Sequence, residues 1–271
     1  MPSDTYDQGL GTRMVAMIKF VFALAFLFTS LVAVSAPGPQ QVLAASDAVR
    51  NPGQPFAVQV TLTEFQGGKQ VDASTMVTFS RTLDQSGQFA SLVQFVSPVR
   101  DAGKLMLKNG NDLWFFDPTT KASVRLSPQQ RLMGQAANGD VVTVNLARDY
   151  KAEILAEEAV QDGERNARKS LKLGLTAASE DATYATIEMW VDIANHRPIK
   201  GRFFAESGRL LKTVYYRRFQ RQLGAERPTE MVIIDGLNPQ SVTLMRLSDY
   251  RARNLPSNWF QRDYLPRFQP E

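Results

Sequence analysis

The chain has 271 residues, of which 44% are hydrophobic and 21% charged, with a formal net charge of +4. That is enough material for one generous domain or two small ones, and its basicity is too mild to point to nucleic acid by itself. The chain has no cysteine and one histidine. Disulfides and a lipid-modified N-terminal Cys are thereby excluded, and tetrahedral zinc would have to rest on carboxylates.

Arg13 and Lys19 precede an uncharged apolar run over residues 20–36, followed by "PGP" and "QQVLAAS". Basic, then apolar, then small residues is the layout of a secretory signal. Leu43 and Ala45 suit the positions before a cut after Ala45, which gives a signal peptide over residues 1–45 and a mature domain over 46–271. Val34 to Ala36 offer a rival site, spoiled by Pro37. The alternative is an inner-membrane anchor, because 17 apolar residues reach the lower limit for a span. Asp4 and Asp7 suit a signal's start poorly, so Met14 or Met17 is a better first residue. An exported chain without cysteine reads as a soluble periplasmic protein.

From Phe56 the apolar positions alternate: Phe56, Val58, Val60 and Leu62 on one face, Gln59, Thr61 and Thr63 on the other. This is the period of a half-buried strand. Gly67-Gly68 turns the chain toward a strand at 76–81, and "DQSG" turns it toward another at 89–96. In "KLMLKNGNDLWFF", Asn109-Gly110 supplies the positive φ angles of a two-residue hairpin between apolar runs. "DPTTK" makes a further turn before Ala122, Val124 and Leu126 alternate.

The next stretch, "SPQQRLMGQAANGD", predicts a helix over residues 127–138. Ser127 can cap it, Pro128 fits its first position, Gln130 completes a capping box, and Leu132, Met133, Ala136 and Ala137 form one apolar stripe. So short a helix needs an apolar surface to rest on. "VVTVNL" then reads as a strand, as does the segment from Tyr150 to the Asp162-Gly163 turn. Further strands lie around Leu171–Leu175, Ile187–Val191, 200–205, 210–219, "MVIIDG" and "VTLMRL", and "SNWFQRDYL" closes with a helical turn or two. No repeat, charge block or long linker divides residues 50–265. The fold class is mainly β: a single curved antiparallel sheet forming an incomplete β-barrel, with short helices as lid or plug.

Catalytic equipment is sparse. His196 sits in a turn with no G-x-S-x-G elbow elsewhere, and neither a calcium loop nor a phosphate-binding glycine loop is present. Glu157 and Glu158 are adjacent, so a strand sends them to opposite faces. "YYRRFQR" interleaves aromatics with arginine as single-strand nucleic-acid platforms do, but export argues for an acidic partner or lipid headgroup instead, at Arg217, Arg218 and Arg221. The remaining surplus is apolar. A curved sheet covered by one short helix leaves concave apolar surface, and such concavities bind apolar ligands.

The layout resembles the LolA-like outer-membrane lipoprotein-sorting family, through "DLWFFDPTTKASVRLSPQQRLMGQAANGD" and "WVDIANHRPIKGRFFAESGRLLKTVYY". The resemblance runs over residues 50–265 and implies a half-barrel whose hydrophobic cavity carries lipid or lipoprotein acyl chains, without catalysis, cofactor or metal. Partners implied are an inner-membrane exporter and an outer-membrane acceptor. Similar domains also serve as envelope-stress sensors, so an alternative is a sensor or adaptor binding a membrane protein's periplasmic domain. Alternation and helical spacing nominate Val58, Val60, Phe79, Phe95, Trp114, Phe116, Leu132, Met133 and Met189 as cavity lining. A one-residue register error would reverse any strand's contribution.

Overall fold

A computed structural model describes residues 37–83 and 86–270; the apolar run 20–36 and the candidate start residues lie outside the described residues. Helix α1 (Pro39–Arg50) comes first, with Pro39 at its first turn, and it buries Val42 and Leu43 completely. Four strands come next: β1 (Phe56–Gln66), β2 (Lys69–Thr82), β3 (Phe89–Ser97) and β4 (Leu105–Asn109). After them come β5 (Asp112–Asp117), β6 (Ala122–Arg125), a two-stranded ribbon of β7 (Arg131–Met133) and β8 (Ala136–Ala137), and helix α2 (Leu146–Asp149). The second half runs through β9 (Tyr150–Gln161), β10 (Ala167–Ala177), β11 (Thr186–Asp192), β12 (Pro198–Phe204), β13 (Leu210–Gln222), β14 (Ala225–Asp235) and β15 (Ser241–Ala252). Short 3₁₀ turns at Asn138–Asp140, Ser257–Phe260 and Arg262–Arg267 complete the described chain.

Thirteen strands form one antiparallel sheet in the order β6-β5-β4-β3-β2-β1-β15-β14-β13-β12-β11-β10-β9. The two halves of the chain are meanders that meet where β1 pairs with β15, and the outer edges β6 and β9 do not pair, so the barrel is open. Curvature is visible in the core: Val58 of β1, Met106 of β4, Leu173 of β10 and Val214 of β13 belong to one buried cluster. Strands this far apart in the sheet share a core only if the sheet wraps around it. A second cluster forms on the outer face of β2–β5, where Leu255, Trp259, Phe260 and Leu265 cover Phe79, Leu92, Leu107 and Phe116.

The expected helix over 127–138 is not formed. Its start cue works for a single turn, since Ser127 Oγ accepts from Gln129 N–H at 3.2 Å, and then the chain extends into the β7–β8 ribbon. Gly134 turns that ribbon at φ +54°, and a Cβ there would collide with Thr243 Oγ1. "VVTVNL" is not a strand either, although several of its backbone groups find side-chain partners on the sheet. Val141 O accepts from Thr78 Oγ1 at 3.0 Å, Thr143 N–H donates to Ser91 Oγ at 3.1 Å, and Asn145 N–H donates to Gln88 Oε1 at 2.9 Å. Side chains of the sheet's inner face do for this segment what a neighbouring strand would do.

The expected boundary at Ala45 falls inside α1. Gln40, five residues earlier, donates from Nε2 to Tyr150 O at 3.0 Å and accepts from Ala152 N–H at 3.0 Å, imitating a strand at the edge of β9. Among the described residues no helix is long and apolar enough to cross a membrane.

Candidate ligand cavity

The connection from β6 to β9, residues 126–149, crosses the concave face and leaves a cavity of about 150 Å³ between itself and the sheet. Inward-facing Val58 and Val60 of β1, Val214 of β13, Ile233 of β14 and Met245 of β15 make its apolar wall, and Val141 and Val142 of the connection face them. They face inward because each is in phase with the period-2 burial of its strand. An apolar cavity of about 150 Å³ holds a single benzene, so as it stands the space takes a few carbons of a chain.

Hydroxyls and one cation also line the cavity: Tyr150, Tyr184, Tyr216, Tyr250 and Arg50. Burial pushes all four tyrosines above their ordinary pKa, so they present protonated O–H groups. Arg50, at the end of α1, pairs with Asp47 and donates to Val144 O at 3.3 Å, while Asp47 Oδ2 accepts from Ala147 N–H at 2.8 Å. The helix is thus latched to the connection. Burial lifts the Asp47 carboxyl despite its Arg50 partner, and the pairing in turn holds the Arg50 guanidinium charged against burial.

Beside the cavity, Asp140 pairs with Lys212 of β13, whose side chain is only 4% exposed. Tyr184 Oη donates to Asp140 Oδ1 at 2.8 Å and Ala137 N–H donates to Oδ2 at 2.7 Å, so the carboxylate binds strand, ribbon and loop together. Burial lowers the Lys212 pKa, with Asp140 partly offsetting it.

The nominated lining residues divide. Val58 and Val60 line the cavity; Phe95 and Met189 are buried in the same inner core, and Leu132 and Met133 pack half-buried against it, all four away from the cavity wall. Phe79, Trp114 and Phe116 require correction, because they point to the outer face beneath the C-terminal turns. In β2 it is Thr78 and Ser80 that face inward, bonding Val141 O and Thr143 Oγ1. Hydrophobicity alone assigned β2 the wrong face because its inner polar residues serve the connection. Trp114 instead lies under Arg262, 4.1 Å from ring centre to guanidinium carbon.

Of the arginines nominated for a partner, Arg217 and Arg218 both contact Glu230, at 2.5 and 3.2 Å, while Arg221 is exposed at the far end of β13 opposite Glu226. His196 occupies the β11–β12 turn at φ +57°, its N–H donating to Asp192 O at 2.9 Å. Among the described residues no group of three or more His, Asp and Glu is placed to hold a metal ion. The cavity tyrosines were missed, although Lys212, Val214 and Tyr216 stand at period 2 on one face of β13.

A crystal structure of a LolA superfamily protein from Nitrosomonas europaea is 34% identical, with a TM-score of 0.76, over 84% of this chain and 100% of that one. This chain belongs to the LolA superfamily. A family model described as "-like: Uncharacterized protein" matches residues 87–267. Two further structures share the fold at lower identity. A domain from Vibrio parahaemolyticus assigned to outer membrane lipoprotein sorting is 19% identical, with a TM-score of 0.71 over 84% of this chain and 98% of its own. A DUF1329 family protein from Desulfovibrio piger is 20% identical, with a TM-score of 0.70 over 83% of this chain and 97% of its own. A search of curated proteins returned no match.

Proposed function

We propose that this LolA superfamily member is a periplasmic carrier that encloses acyl chains of a lipid or lipoprotein beneath residues 126–149, and that it performs no catalysis. The observation carrying this reading is the apolar cavity on the concave face of an open sheet, roofed by a segment that is bonded mainly to side chains. Exposing an acyl chain to water costs about 0.8 kcal/mol per CH₂, so a carrier in water must enclose it. The cavity holds a few carbons only, and loading therefore requires the roof to move. Native mass spectrometry of protein purified from its host envelope without detergent tests this. A stoichiometric acylated species is expected; a bare mass together with failure to take up a fluorescent fatty acid overturns it.

The same reading assigns the leader a shorter extent than residues 1–45, with export cleavage upstream of Pro39. Supporting this, Val42 and Leu43 of α1 are buried, each contributing about 1.5–3 kcal/mol, and Gln40 caps the edge of β9. Protein beginning at Ser46 should therefore unfold at markedly lower urea than protein beginning at Pro37. N-terminal sequencing of the exported protein is expected to find a start between residues 34 and 39, and a start at Ser46 would refute the assignment.

A further inference from the structure

The outer face of the sheet is covered over β2–β5 by the C-terminal turns, whereas over β13, β14, β15 and β1 its outward apolar side chains remain half-exposed. Cross-strand register arranges them in rows. Phe65 pairs with Val242 and Val242 with Ile234, making one row across β1, β15 and β14. Two residues along, Leu244 pairs with Val232 and Val232 with Tyr215, making a second, ended by Lys200 over the Tyr215 ring at 5.6 Å. Two residues further lies a row of charge: Arg246, Glu230 and Arg217 in register.

The β9–β10 turn closes the β13 end of that row, with Gly163 against Tyr215 and Arg217 and Glu164 accepting from Arg218 N–H at 3.3 Å, so three guanidinium groups face two carboxylates and the row keeps a net positive charge. Glu230 is 1% exposed and is contacted through Nε by Arg217, Arg218 and Arg246, the last two 60% and 57% exposed. One buried carboxylate thus fixes three guanidinium groups beside two apolar rows and leaves a charge surplus at the surface. Using Nε for Glu230 leaves the Nη groups able to donate to a second acceptor.

We infer that this outer face is a docking surface for an acidic amphipathic helix of a partner protein, its apolar stripe on the two rows and its carboxylates on Arg218 and Arg246. The dimensions agree: strands about 4.8 Å apart along a row approximate the 5.4 Å rise of a helical turn, and the charged row lies about 7 Å to one side. A membrane surface fits less well. The apolar side chains of the two rows are only half-exposed on a rigid sheet, and the strongly exposed ones beside them, Leu237 in the β14–β15 turn at 73% and Val71 of β2 at 55%, are isolated side chains rather than a face able to sink the 5–10 Å that interfacial binding needs.

The test uses the mature protein and a synthetic 15-residue helix with leucines along one face and glutamates beside them, the same peptide with lysines for glutamates, and phosphatidylglycerol vesicles. The glutamate peptide should bind, and Arg218→Gln with Arg246→Gln should weaken it by at least about tenfold and flatten its salt dependence. Leu244→Asn should weaken it comparably at unchanged salt dependence. Arg217 is kept so that Glu230 retains a partner, and urea unfolding of each variant confirms the fold. Lack of binding by the glutamate peptide, equal binding by the lysine peptide, or binding indifferent to these substitutions overturns the proposal. Vesicle binding lost on the same substitutions would make the surface a membrane contact instead. Fatty-acid uptake, measured in parallel, should not change in any variant, because these residues face away from the cavity; the docking face and the carrier reading therefore fail separately.

Discussion

Cross-linking Ser80→Cys to Thr143→Cys is expected to abolish fatty-acid uptake in the oxidised protein and to restore it on reduction. The two hydroxyls lie 2.7 Å apart, Ser80 on the inner face of β2 and Thr143 in the roof, so thiols in their place are near disulfide reach. The chain has no other cysteine, which makes the pair unambiguous. The energetics favour a roof that opens on loading. Its bonds to Thr78, Ser80, Ser91 and Gln88, with the two that Val144 O accepts from Arg50 and Asn51, contribute about 0.5–1.5 kcal/mol each, or roughly 3–9 kcal/mol together. Burial of about twelve methylenes returns roughly 10 kcal/mol, which offsets that cost. A covalent bond between the same two elements removes the option. Full uptake by the oxidised protein would show that ligand enters without lifting this segment. Loss of uptake in the reduced double variant would implicate the hydroxyl pair itself, which the two single variants separate.

The sheet was legible from the sequence because its signals are local. Alternation at Phe56–Leu62 and the Asn109-Gly110 turn each specify a strand or hairpin without reference to the rest of the chain. The roof was not legible for the opposite reason. Ser127 and Pro128 do begin a turn, but the path of the chain beyond it is decided by partners distant in sequence: Thr243 in β15 accepts from Gln135 N–H at 2.7 Å, and Lys212 in β13 takes Asp140. Helical spacing of Leu132, Met133, Ala136 and Ala137 cannot compete with a concave surface whose polar groups need those backbone and side-chain partners. The cavity lining suffered equally. The inner face of β2 carries Thr78 and Ser80 while β5 is apolar on both faces, and only the C-terminal turns over Phe79 and Phe116 reveal which face is outer. Helix α1 went unread because its small residues also suit the positions before a signal cut.

Asp140→Ala should cost about 3–5 kcal/mol of stability, because it strands the Lys212 ammonium in the interior and removes the acceptor for Tyr184 Oη and Ala137 N–H. For a domain of this size that corresponds to a fall in melting temperature of roughly 10 °C. The pair therefore acts as the fixed end of the roof: breaking it costs as much as lifting the hydroxyl-held stretch 141–145, so opening hinges after Asp140 while the β7–β8 ribbon stays on the sheet. Asp140→Asn with Lys212→Met separates charge from hydrogen bonding. It keeps a side-chain oxygen for Ala137 N–H, turns an amide N–H toward Tyr184 Oη, which can accept it, and replaces the ammonium with an apolar chain, so most of the lost stability should return, as replacement of buried ion pairs commonly allows. Urea unfolding of the two variants reads the difference. If the double variant is as unstable as Asp140→Ala, the pair contributes through its charges rather than through the bonds that Asp140 collects, and the hinge must be sought elsewhere in the connection.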